Sequence, residues 1–77
     1  MLSQNRFNEI KELCDAPRYV QELIEMSKKR QAPERELEIL TALQFCSRLA
    51  VNLIPIEEYD EYLSENRRLA RIAANVI

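Results

Sequence analysis

The sequence predicts an all-α protein: one helical domain over residues 1–77, built as a compact four-helix bundle around a long central third helix. A break at Ser64 would make it a five-helix bundle. Three observations carry that expectation. There is no glycine among the 77 residues, whereas tight sheet hairpins and phosphate-cradling loops depend on it. Apolar side chains recur at helical spacing along the chain. Finally, Pro17, Pro33 and Pro55 divide the chain into segments joined by short connections, which favours antiparallel neighbours.

The first segment runs from Gln4 to Leu13. Ser3 is placed to cap it, and Leu2 and Phe7 have the spacing of a hydrophobic staple. Phe7, Ile10 and Leu13 or Cys14 give it one apolar face. Asp15 is a second capping residue and opens the second segment, with Pro17 in a first turn where its missing N–H costs nothing. Ala16, Tyr19, Val20, Leu23 and Ile24 form the expected buried stripe. Lys28, Lys29 and Arg30 fall in the last turn, where cations suit the helix dipole.

Pro33 stops that helix, because the residue before a proline avoids the α region. It also opens the third helix, Pro33 to Leu53, with Glu34 and Glu36 in the first turn. Polar residues Glu38, Thr41, Gln44, Arg48 and Asn52 occupy one narrow stripe, and the rest is apolar. A helix apolar nearly all round is buried on several sides, hence its expected central place. Pro55 starts the fourth segment, in which Tyr59, Tyr62 or Leu63, Ala70, Ala73 and Ile77 fall on one face. The apolar spacing nowhere holds a strict heptad, so a simple coiled coil is not expected.

Composition bounds the chemistry. Almost half of the residues are apolar, 31% are charged and the formal net charge is −2, the balance of a folded globular chain. A domain this small is marginal alone, so it needs a staple. Cys14 and Cys46 form no C-x-x-C pattern and stand at apolar positions, which reads as two small buried hydrophobes. With no histidine, two thiols cannot close a metal site, and no metal or cofactor is expected. No nucleophile stands with a base and an orienting group, so the chain is not expected to be an enzyme. The slight acidic excess argues against tracking nucleic acid. No apolar run has the length of a membrane span. A polar start without an apolar h-region, together with free cysteines, implies the cytoplasm.

The remaining candidates are partner-binding residues. Glu57, Glu61 and Glu65 stand at i, i+4 and i+8, and Glu58 and Asp60 add to this ridge. Like charges so spaced destabilise a helix by about 0.2–0.5 kcal/mol per pair. The ridge reads as a docking surface for a basic partner, or as a solvated face partly neutralised by Lys28, Lys29 and Arg30. Arg67, Arg68 and Arg71 form a basic cluster able to hold phosphates or carboxylates, or to pair with Glu65. Three arginines are too few for strong nucleic-acid binding. Tyr59 and Tyr62, with Tyr19, suit a core edge or an interface rim. Val76 and Ile77 complete an apolar last turn that is either packed or covered by a second copy. Together these predict a non-catalytic protein–protein interaction module: a regulator, inhibitor or adaptor that is a homodimer and docks through its third and fourth helices.

The four-segment layout also resembles the Hha/YmoA family of small helical nucleoid modulators. Cys14 closes the first helix, Glu36-Leu37 opens a long third helix, and Ser47-Arg48-Leu49-Ala50 lies within it. Cys46 stands where that family carries an acid, and the C-terminal half of the last segment has no counterpart. The resemblance implies an alternative role, a DNA-associated regulator acting through an H-NS-type DNA-binding partner.

Overall fold

The computed structural model describes residues 1–75. Among these residues it holds three helices and no strand: α1 (Gln4–Lys29), α2 (Glu34–Asn52) and α3 (Ile56–Asn75). The all-α class therefore stands, and the four- or five-helix count is corrected to three.

The first two expected helices are one. α1 runs unbroken through Asp15 and Pro17, so Asp15 caps nothing. An interior proline loses one backbone hydrogen bond and crowds the carbonyl four residues back, at a cost of about 3 kcal/mol. The burial pattern favours accepting that cost. Ile10, Leu13, Pro17, Val20, Ile24 and Ser27 are all buried or half-buried, at alternating spacings of three and four. Only a continuous helix keeps all six on one side. The fourth segment is also a single helix, with Ser64 exposed in its interior.

The chain divides into two compact units. The first is a helical hairpin, Glu12–Leu53. Its turn closes α1 with a pair of reverse hydrogen bonds: the Ala32 amide donates to Ser27 O at 2.9 Å and the Gln31 amide to Lys28 O at 3.1 Å. This is the Schellman arrangement, and it places Gln31 at the left-handed position with φ 54°. Pro33, at φ −55° and ψ 145°, then leads into α2. The helices meet along Leu13, Pro17, Val20, Ile24 and Ser27 of α1 and Leu37, Leu40, Gln44, Ser47 and Val51 of α2, all buried or half-buried. Gln44 Nε2 donates to Gln21 Oε1 at 3.4 Å, and Ser27 Oγ to Glu36 Oε1 at 3.4 Å. These two bonds lie across the antiparallel seam.

The expected central helix is not central. Gln44 is the buried residue of α2, although the sequence put it on the solvated stripe. Ile39, Leu43, Phe45, Leu49 and Leu53, expected inside, are exposed. Tyr19 and Leu23 of the stripe expected on the second segment are likewise exposed. Cys14 is half-buried and Cys46 exposed, so neither is the fully buried hydrophobe predicted. The physical reason is geometric. One neighbouring helix covers a single stripe of α2, so an apolar arc wider than that stripe stays in water.

The second unit joins Met1–Lys11 to the chain from Ile54 onward. Ser3 caps α1 as expected, its Oγ accepting from the Arg6 amide at 3.1 Å. Phe7, Ile10, Ile54 and Tyr62 are buried here. The Phe7 and Tyr62 rings pack with centroids 5.1 Å apart, and Tyr59 lies 6.4 Å from Tyr62. Pro55 precedes α3 and accepts the Tyr59 amide at 2.9 Å.

Candidate interaction surfaces

Three surfaces stand out: the acidic ridge of α3 and two apolar faces of the hairpin. In the ridge, the sequence-predicted residues separate into paired and unpaired carboxylates. Glu58 is half-buried and held by Arg6, whose Nε donates to Oε2 at 2.7 Å and whose Nη2 donates to Oε1 at 2.9 Å. Arg6 also reaches Glu9 at 3.0 Å. The hydrogen bonds from Arg6 hold the Glu58 carboxyl below its usual range, and both glutamates raise the guanidinium further above its own. Glu65 is bound by Arg68, with Nε to Oε2 at 3.1 Å, and its carboxyl is lowered for the same reason. Glu57 and Asp60 are exposed and make no ion pair among the described residues, and Glu61 lies 3.6 Å from the Met1 amino group.

The cations that quench the ridge are therefore Arg6, Arg68 and the Met1 amino group. Arg30, expected to do so, pairs with Glu36 in the hairpin. A cleft of about 560 Å³ lies beside the ridge, lined by Leu2, Ser3, Phe7, Glu61, Ser64 and Leu69 among others. Tyr62 is buried and Tyr59 half-buried. Arg67 and Arg71 are exposed and make no ion pair among the described residues. Every residue from Asn66 to Asn75 is exposed, so Ala70 and Ala73 do not pack as the expected stripe required. Val76 and Ile77 lie outside the described residues.

The apolar faces of the hairpin escaped the sequence reading. On the outer side of α2, Ala42, Phe45, Leu49 and Leu53 share one face at i, i+3, i+7 and i+11. Phe45, Leu49 and Leu53 are 65%, 46% and 82% exposed. The second face spans both helices. Tyr19, Leu23 and Met26 each immediately precede a seam residue of α1, and Ile39, Leu43 and Cys46 each immediately precede a seam residue of α2. An antiparallel helix pair is related by a two-fold axis normal to the hairpin, which places equivalent positions on the same side. With Gln21 bonded to Gln44, Leu23 lies level with Leu43, Met26 with Ile39 and Tyr19 with Cys46. All six are exposed. The signal that could have revealed both faces is the width of the apolar arc on α2, which exceeds what one partner helix covers.

Burial, then the neighbouring charge of Asp15, pushes the Cys14 thiol up, away from the thiolate a nucleophile needs. Among the described residues no group of His, Cys, Asp or Glu is placed to hold a metal ion. No single helix among them is long and apolar enough to cross a membrane. No family model, curated protein or solved structure matches the chain.

Proposed function

We propose that this protein is a non-catalytic interaction module, a small regulator, inhibitor or adaptor that docks to another protein through α2 and α3. The observation that carries the reading is the outer face of α2. Phe45, Leu49 and Leu53 stand in water on one side of one helix, and large apolar side chains grouped this way mark protein contact sites. Aromatic anchors such as Phe45 supply much of the energy in such contacts. Glu57 and Asp60, which make no ion pair among the described residues, add a charged surface on α3, which steers a basic partner more than it holds one.

The alternative role beside DNA has less behind it. Arg68 is engaged by Glu65, which leaves Arg67 and Arg71 as the cations of the cluster able to meet phosphate, and two contacts give weak, salt-sensitive binding.

The test is native affinity purification from the source cell with the wild type and a Leu49→Glu/Leu53→Glu variant. The expected result is a protein partner recovered in stoichiometric amount by the wild type and lost by the variant, with helicity unchanged by circular dichroism. Recovery of no stoichiometric protein, or equal recovery by both chains, would overturn the proposal.

A further inference from the structure

We infer that the second apolar face of the hairpin, the one built from Tyr19, Leu23, Met26, Ile39, Leu43 and Cys46, is covered by a second copy of this chain, the two hairpins stacking face to face as an antiparallel four-helix bundle. The inference rests on the reading above that the exposed apolar faces are docking surfaces, and it names the partner for one of them.

Two observations select a second copy as the occupant. The first is area. Tyr19, Leu23, Met26, Ile39 and Leu43 are 49–63% exposed. Each leaves on the order of 100 Å² in water, so with Cys46 the face offers on the order of 600 Å² per copy. A standard interface takes about 800 Å² per partner, and the flanking charged stems supply the remainder.

The second observation is the placement of charge along α1. Glu12 and Asp15 flank the face at one end, and Lys29 and Arg30 flank it at the other. Asp15, Glu22 and Lys29 follow one line at seven-residue spacing, so Asp15 and Lys29 stand at equal distances from Glu22. Arg30 already pairs with Glu36, whereas Glu12, Asp15 and Lys29 make no ion pair among the described residues. A two-fold axis across the face at the level of Glu22 sets α1 against α1 in opposite directions. Asp15 then meets Lys29 of the second copy. The same axis passes the level of Leu43, because Gln21 is registered with Gln44. Leu43 therefore packs against its own copy at the centre. Self-complementary charge of this kind is what a closed two-fold interface requires. Glu22 is the exception: near the axis it faces its own copy, and its charge opposes association.

The proposal is tested by sedimentation equilibrium of the purified full-length chain, with circular dichroism as the folding control. The wild type is expected at twice the chain mass. Leu43→Glu places two like charges at the axis and is expected to weaken the dimer by about a hundredfold or more. Asp15→Lys and Lys29→Asp, each alone, are expected to weaken it by about tenfold. Combined in one chain they restore the pairing, and the affinity should return to within about threefold of the wild type. Glu22→Gln should tighten it. The other three positions are charged, with Glu22 and Lys29 exposed and Asp15 half-buried, so they test the geometry even if Leu43→Glu fails to fold. A wild-type monomer at all concentrations overturns the inference, as does a dimer whose affinity the charge exchange does not restore. Partner recovery in the preceding test depends on Leu49 and Leu53, so a lost dimer with a retained partner removes this inference alone.

Discussion

Arg6 grips Glu58 with two nitrogens across 52 positions of sequence, and the pair ties the start of α1 to the first turn of α3. Because the Glu58 carboxyl titrates lower when folded than its ordinary 4.5, protonation favours the unfolded chain. Its contribution is complete above the unfolded value and is lost as pH falls through the folded one. Glu58→Gln should therefore melt at a lower temperature than the wild type at neutral pH, and the two curves should converge on acidification below about pH 4. A gap that stays constant with pH would mean that the charge of Glu58 does not matter. Gln44 presents a different problem. Its Oε1 is buried without a hydrogen-bond partner, and its Nε2 is satisfied only by a long bond to Gln21. Leaving a polar atom so placed costs about 1–3 kcal/mol. Gln44→Leu should therefore stabilise the hairpin by about 1 kcal/mol in chemical denaturation. A loss of stability would show that the polar contact outweighs the stranded oxygen.

At the scale of the elements, Pro17 inside α1 and Gln31 in the turn that closes it each cost backbone energy. Pro17 removes one backbone bond from the interior, so Pro17→Ala should raise stability by about 2–3 kcal/mol. No change would mean that the proline's own packing in the seam replaces the missing bond. Gln31 holds a left-handed backbone at φ 54°, which costs a side-chain-bearing residue about 1–2 kcal/mol. Gln31→Gly relieves this at some expense in unfolded-chain entropy, and a gain of about 1 kcal/mol is expected from the same denaturation curves. These positions also show what the sequence could and could not say. The Ser3 cap, the proline stops at Pro33 and Pro55 and the acidic first turns of α2 and α3 were legible, because each acts through its immediate neighbours. Pro17 was misread because a proline two residues after an aspartate looks the same at a helix start and inside a helix. The difference lies in burial from Ile10 to Ser27. The seam was hidden for a related reason: Pro17, Ser27, Gln44 and Ser47 occupy heptad-like positions that a search for apolar spacing passes over.

At the scale of the whole molecule, the acidic ridge of α3 was legible as a run of charge, yet its pairing was not. Arg6 reaches Glu58 only because the chain returns to its own start, and no local pattern announces that. The apolar excess of α2 was equally visible, but its meaning depends on how many helices are available to cover it. Four helices would have buried it, whereas the hairpin leaves much of it in water. Association therefore has to appear in the stability of the protein itself. A partner copy that binds only the folded chain adds a mass-action term to folding, so the melting temperature of a self-associating chain rises with concentration. Across a hundredfold range of chain concentration the wild type should show a steady rise, and Leu43→Glu should show none while keeping its helical signal at low temperature. A wild-type midpoint independent of concentration, over a range where sedimentation finds only monomer, would mean that the hairpin tolerates its exposed face unaided. In that case the seam from Leu13 to Val51 must supply the stability of that unit on its own.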